Sequence, residues 1–339
     1  MIIKSKNFVL KLEEILKDNL PTERYNELEN FVLKLIHSWH SGQQSFTHQT
    51  SGSTGRPKKI EISREKIELS ARATLAFIDP KGMIKTSLLC LNPAHIGGAM
   101  VIYRALIFNQ DLTLTTPSSS LLSELEDNQM FDLVSMAPLQ FKSLSKHEIE
   151  RFKIILIGGA PMPIIKNEYA TSIYSTYGMT ETVSHIALRP IDKDIFKTTG
   201  DTTIKQGSDQ SLSVKGSITD HKWLETNDII EYVDRNSFKW IGRKDFIINS
   251  GGIKVNPEKI EDHLSSQFKK AFMVGYIPDA NLGRRVVILS SENPKKIDFS
   301  GLNKYHIPKE IFWNQTIFQT ESKKIDRRKT QEHFEKSLW

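Results

Sequence analysis

A single cysteine, Cys90, leaves this 339-residue chain no intrachain disulfide, and its place in the apolar run Ser87-Leu88-Leu89-Cys90-Leu91 reads as core filling rather than as a nucleophile. Redox chemistry has no support in such a chain. Long apolar runs are missing too: residues 154–157 and 286–289 fall far short of the roughly 20 that cross a bilayer. The opening segment MIIKSKNFVLKLEEILKD interleaves charges where a secretory signal is apolar, so the expectation is a cytoplasmic protein without a membrane span. Charge of one sign is scarce. The 46 basic and 40 acidic residues leave +6, a dilute excess that suits anionic small molecules as readily as nucleic acid. No internal repeat of about 20 to 50 residues is visible.

What is present is ordinary globular composition, 38% hydrophobic and 25% charged, with enough apolar material for a sizeable core and enough length for two domains. Residues 1–40 predict helices. Leu10, Leu12, Ile15 and Leu16 cluster at helical spacing, and after Pro21 the residues Leu28, Phe31, Val32, Leu35, Ile36 and Trp39 form one apolar stripe. A helix is predicted over 61–77. From Thr86 to Arg189, short apolar runs (SLLCL, MVIYRALI, LTLTT, LVSMA, KIILIGG, IYSTYG, HIALRP) alternate with helical or loop stretches, which predicts a layered α/β sheet. Residues 195–242 read as a small β-rich tail of that first domain. After Gly242-Arg243-Lys244-Asp245 the composition shifts to a compact α+β unit. The expected organisation is an α/β fold with a large N-terminal domain over 1–242 and a small, mobile α+β domain over 243–339.

Five stretches carry chemistry. Thr50-Ser51-Gly52-Ser53-Thr54-Gly55-Arg56-Pro57-Lys58 combines glycines, hydroxyls and cations, so its backbone N–H groups can turn toward one anion such as a triphosphate. It is no Walker A loop, because Arg56 and Pro57 follow Gly55 where Lys-Ser/Thr should run into a helix. The alternative is a solvated turn between strands. Second, Gly159-Ala160 ends an apolar strand ahead of Tyr177-Gly178-Met179-Thr180-Glu181, which offers a ring for a base and a carboxylate for a divalent metal; a core aromatic and a helix-start acid are the plainer readings. Third come Asp228, fifteen residues ahead of Arg243, and a competing Thr199-Gly200-Asp201. The fourth runs from Gly242 to Glu261. The fifth is Thr320-Glu321-Ser322-Lys323-Lys324-Ile325-Asp326-Arg327-Arg328, which alone would pass for a solvated basic tail.

In this order the five resemble the acyl-adenylate-forming superfamily of acyl-CoA synthetases, luciferases and the adenylation domains of peptide synthetases. Its loop TSGSTGxPK matches residues 50–58 at every specified position, YGxTE matches 177–181, and GRxD with GxxxxPxxIE matches 242–261. The terminal GKxxR is represented by residues 323–327 with Lys323 in place of glycine, and TGD by Thr226-Asn227-Asp228, which keeps the carboxylate and loses the glycine. The family's spacing to Arg243 selects Asp228 over Asp201. The resemblance spans residues 47–328 and implies ATP, Mg²⁺ and CoA as partners. By that resemblance the loop, Thr50, Ser51, Gly52, Ser53, Thr54, Gly55 and Lys58, holds the β- and γ-phosphates, Thr180 the α-phosphate and Glu181 the metal. Gly159, Ala160, Tyr177 and Gly178 frame the adenine, while Asp228 and Arg243 take the ribose. Lys324 reaches in from the small domain to the reacting carboxylate; that domain then turns about Asp245, and Ser250, Gly251, Gly252 and Lys254 line a tunnel for CoA.

The acid is read from residues 91–106. They contain no Asp or Glu to hold an α-ammonium, which disfavours amino acids, and they contain His95 and, within an apolar run, Arg104. A buried guanidinium should meet an acid. Either Arg104 sits in a structural ion pair or at a solvent-exposed strand end, or it meets a second carboxylate on the substrate. The His95 to Arg104 spacing resembles the o-succinylbenzoate-CoA ligases of menaquinone biosynthesis. Only 49 residues precede the phosphate loop, as in short ligases of that kind, and two N-terminal helices are expected to replace a missing subdomain. The alternatives are an aryl- or fatty-acyl adenylating enzyme loading CoA or a carrier protein, and a non-enzymatic adenylate- or nucleic-acid-binding protein.

Overall fold

A computed structural model of the chain describes residues 1–17, 22–49, 59–294, 296–319 and 325–338. Its centre is a run of parallel strands, Asp111–Leu114, Thr86–Leu89, Phe131–Met136, Phe152–Ile157 and Ser172–Gly178, side by side in that order. Near-continuous apolar sequence suits strands covered on both faces, and all six residues of Phe131–Met136 are buried. Beyond Ser172–Gly178 the sheet continues antiparallel through His185–Pro190, Ile195–Thr198, Ser237–Arg243, Leu224–Asp234, Ser211–Lys215 and Thr203–Gln206. The predicted β-rich tail is therefore the antiparallel flank of one 13-stranded sheet.

Two further sequence expectations are corrected. Residues 2–11 are not helical: Ile2–Lys4 and Val9–Lys11 form a hairpin on the sheet edge, Ile2–Lys4 pairing parallel with Asp111–Leu114, and only the single turn Leu12–Ile15 is helical. Long-range strand pairing overrides a weak helical period there. The run MVIYRALI lies in a helix, Ile96–Ile107, not a strand; it is apolar nearly all round because its residues from Gly98 to Ala105 are buried. Helix Glu27–His40 forms as expected, capped by Asn26 with a return bond from Glu29, and buries Val32, Leu35, Ile36 and Trp39. Helix Arg64–Ile78 starts at the cap Ser63, whose side chain accepts from the Lys66 amide. Ser45–Gln49 and Lys59–Ser63 pair antiparallel up to Gln49 opposite Lys59.

After Arg243 the chain leaves the large sheet. A hairpin of Ile248–Ser250 and Ile253–Val255, helix Pro257–Leu264, a three-stranded sheet of Phe272–Asp279, Gly283–Ser290 and Glu310–Phe312, and helix Arg327–Ser337 make a small α+β domain. It has its own core of Ile248, Val255, Ile260, Leu264, Val274, Val286 and Ile288. Arg327 is locked there by a two-pronged ion pair to Glu261, so two of the sequence motifs bind each other. Among the described residues no helix is long and apolar enough to cross a membrane.

Phe152 is 1% exposed and stacks on Phe131 with ring centroids 6.0 Å apart. Phe152→Ala should cost about 3–5 kcal/mol. Urea unfolding should show a lowered midpoint at unchanged slope, and an unshifted midpoint would contradict the packing described.

Candidate functional site

Parallel strands all present their carboxyl ends at one edge, and ligands of open α/β sheets bind beyond that edge. Here the ends of Thr86–Leu89, Phe131–Met136, Phe152–Ile157 and Ser172–Gly178 are in register, Leu89 opposite Ser135, Met136 opposite Ile157 and Ile157 opposite Ser175. From it emerge Gly159 and Ala160, both exposed, and the segment Tyr177 to Glu181. Gly178 is required by its neighbour: a Cβ would lie 2.2 Å from the Ser184 carbonyl oxygen, so only glycine lets the next strand return so closely. Thr180 and Glu181 lie in the single 3-10 turn Thr180–Thr182, with the Glu181 side chain exposed. The turn is closed by Thr182, whose hydroxyl donates to the Met179 and Ser184 carbonyls. Val183, immediately after it, is held at φ 64°, a strained conformation for a β-branched residue that costs on the order of 1–3 kcal/mol.

The strand pair of the antiparallel flank brings the third motif to the same edge. Asp228 lies opposite Arg243 in the ladder and is 5% exposed. Its carboxylate accepts from the Tyr177 hydroxyl at 2.7 Å and from the Trp240 indole at 2.9 Å, and its amide donates to the Thr226 hydroxyl at 3.1 Å. Burial, and then the Asp228 charge, hold the Tyr177 hydroxyl well above the usual phenol range, so it stays a donor. Two bonds leave acceptor capacity on the carboxylate. Arg243 donates to Asp245 at 3.1 Å while its buried Nε finds no partner among the described residues. Asp245 also accepts from Asn227 at 3.4 Å. The competing Asp201 is occupied elsewhere, accepting from the Ser217 amide and hydroxyl at 2.9 and 2.6 Å.

His95 and Arg104 share one helix. His95 is its N-cap residue, with Nδ1 buried and without a hydrogen-bond partner among the described residues. Arg104 is 2% exposed and lies in the last turn, so it is neither at a strand end nor in solvent. Nor does it meet an acid: its guanidinium donates to the Ser135 hydroxyl at 2.9 Å, Nε is unpartnered among the described residues, and burial lowers its pKa to about 10. The expected ion pair is thus absent among the described residues. Close by, burial and the charge of Arg104 push His185 down to about 3, and its neutral ring is in hydrogen-bond contact with Thr74 at 2.8 Å.

The remaining expected residues divide. Ser250, Gly251, Gly252 and Lys254 form the tip of the small domain's first hairpin, where Lys254 donates to Gln210 at 2.9 Å beside an exposed Lys244 to Asp209 ion pair at 2.7 Å. They do not touch Tyr177 or Asp228. Thr50, Ser51, Gly52, Ser53, Thr54, Gly55, Lys58 and Lys324 lie outside the described residues. The sequence reading missed Trp240, Ser135, Thr74 and His185. Trp240 and His185 sit in runs read only as strands, and their facing depends on irregularities in the ladders at Ile229/Ile230 and His185/Ala187 that no residue pattern announces.

Comparison with known proteins follows the same lines. The family model described as AMP-binding enzyme matches residues 13–207, more than half of the chain. A 2-succinylbenzoate–CoA ligase from Listeria monocytogenes serotype 4b is 27% identical over 88% of this chain and 72% of its own length, and one from Lactococcus lactis is 25% identical over 94% and 80%. Among solved structures, an acyl-CoA synthetase (AMP-forming)/AMP-acid ligase II-like protein from Dyadobacter fermentans is 30% identical, with a TM-score of 0.60 over 91% of this chain and 95% of its own. The O-succinylbenzoate coenzyme A synthetase of Bacillus subtilis, solved with ATP and magnesium ion, shares the fold at a TM-score of 0.72, 22% identity and 84% and 69% coverage. The chain belongs to the AMP-binding enzyme family, and its activity is that of an AMP-forming ligase.

Proposed function

We propose that this protein joins ATP and a dicarboxylic aryl acid into an acyl-adenylate and then passes the acyl group to the thiol of CoA, with o-succinylbenzoate as the acid. The observation that carries the choice of acid is Arg104, a buried guanidinium with no carboxylate among the described residues. Leaving such a charge uncompensated costs several kcal/mol, about 3–5 in measured cases, so it calls for an anion supplied from outside. A substrate with a carboxylate beyond the reacting one supplies it. The names of the Listeria and Lactococcus relatives support the same acid.

The reaction is in-line attack of the acid's carboxylate on the α-phosphorus, so the protein's work is positioning and charge neutralisation. The buried carboxylate of Asp228, oriented by Tyr177 and Trp240, has acceptor capacity for ribose hydroxyls, and the Nε of Arg243 has no partner among the described residues. The exposed ends at Gly159 and Ala160 leave room for the adenine. Exposed Glu181 suits Mg²⁺, which is typically held through one or two carboxylates plus substrate phosphates and neutralises phosphate charge when bound. Thr180 would bind the α-phosphate, residues 50–58 the departing pyrophosphate, and Lys324 the attacking carboxylate. His95, at the N-cap position of the helix that carries Arg104, would border the acyl site. The small domain, from Arg243 on, would turn about Asp245 for the thiol step; the contacts it makes through Lys254 and Lys244 are exposed and cheap to exchange.

ATP–pyrophosphate exchange over a panel of acids tests the substrate. Exchange with o-succinylbenzoate well above that with monocarboxylic aryl or fatty acids is expected; the reverse order would favour the aryl- or fatty-acyl alternative. Arg104→Ala should raise KM for the dicarboxylate by about 10-fold or more and leave a matched monocarboxylate nearly unchanged. Equal effects on both would make Arg104 a purely structural residue. Lys324→Ala should abolish adenylate formation and spare thiol transfer from preformed acyl-adenylate, and intact adenylate formation would remove Lys324 from the mechanism.

A further inference from the structure

The small domain meets the large sheet through the start of helix Pro257–Leu264. Asn256, 5% exposed, caps that helix by accepting from the Glu258 amide at 2.8 Å, and its own amide donates across the boundary to the Ile241 carbonyl. The contact is close. A Cβ at Gly242 would lie 2.5 Å from the Asn256 side chain, so the helix start is seated directly on the strand that ends in Arg243. At this seat stands Glu258, half-buried as a residue, whose Oε2 is buried and has no hydrogen-bond partner among the described residues.

Among the described residues, the charges that bear most on Glu258 are three acids and one base. Asp228 faces it from strand Leu224–Asp234, Glu261 and Asp262 from its own helix, and Arg327 from helix Arg327–Ser337. Arg327 gives two of its N–H groups to Glu261 and none to the buried oxygen of Glu258, so among the described residues no cation is hydrogen-bonded to that oxygen. A buried ionised carboxylate beside other carboxylates is costly unless it takes up a proton or the enclosure opens. Burial above all holds its pKa up at about 7.

We propose that Glu258 is a positioning residue that links the seat of the small domain to a proton: protonated, it allows the helix start to rest on the strand pair of Asp228 and Arg243; ionised, it is repelled by Asp228 and unseats it. Leaving the seat returns the carboxyl to water and releases that proton to solvent. The inference rests on the proposed turn of the small domain between the two half-reactions and adds a chemical control on it. The proton favours the seated form, whose pKa is the raised one. Seating is therefore fully supported below the ordinary glutamate range and loses that support as the pH climbs to about 7.

The full chain carries the test, labelled at Lys193→Cys and Lys304→Cys on the two sides of the boundary, with the buried Cys90 left unmodified. Double electron–electron resonance gives the label distance from about pH 5 to 8. In the otherwise wild-type chain the equilibrium constant for seating should fall by up to about tenfold per pH unit below 7 and level off above it. Glu258→Gln should stay seated with little pH dependence, and Glu258→Asp, which still titrates, should keep the slope. The same slope in Glu258→Gln as in wild type overturns the proposal and leaves the turning domain standing. A distance that no pH, ATP or acid changes overturns both.

Discussion

The carboxylate of Asp228 is the point on which the two halves of the sheet agree. It is buried, and a buried carboxylate survives only where donors are aimed at it. Tyr177 comes from the last parallel strand and Trp240 from the antiparallel flank, and each hydrogen bond to a charged group is worth roughly 1.5–3 kcal/mol. The rings around them, Tyr177, Phe196 and Phe238, pack at 5.2 to 6.0 Å and keep water from competing. The interaction therefore ties the end of one strand run to the middle of another and sets the edge on which the small domain rests.

A second polar group is treated in the opposite way. Arg104 is enclosed just below the carboxyl edge with one neutral partner, and His185 beside it is kept neutral rather than offered as a second cation. Asp228 is satisfied by the fold; Arg104 is left to be satisfied. That contrast fits the proposed division of labour, in which Asp228 would meet the ribose and Arg104, which has no acid among the described residues, would meet the substrate's second carboxylate.

Much of this was legible in the order of residues. Tyr177 with Glu181, Asp228 with Arg243 and the glycine-hydroxyl loop are dense local signals of the family, because each is carried by a short stretch of adjacent residues. The parallel strands were legible for a related reason: doubly covered strands read as near-continuous apolar runs, as residues 131–136 and 152–157 do apart from Asp132, Ser135 and Lys153. The hairpin of residues 2–11 was not, since its strand character comes from a partner more than a hundred residues away at Asp111–Leu114. The run around Arg104 was misread for want of periodicity, because a helix buried on all sides and a buried strand look alike.

By itself the sequence determined the family, the α/β class and the existence of a second, smaller α+β unit, because those depend on motifs and on composition that each segment carries alone. Tertiary structure alone decided that Tyr177 and Trp240 both point at Asp228, that Arg104 has no acid among the described residues, and that one carboxylate oxygen of Glu258 is buried at the domain seat. The physical reason is common to all three. Burial and partnership are properties of what surrounds a side chain, and the surroundings come from strands and helices far apart in the chain, whose register and bulges fix the facing of each residue only once the sheet has formed.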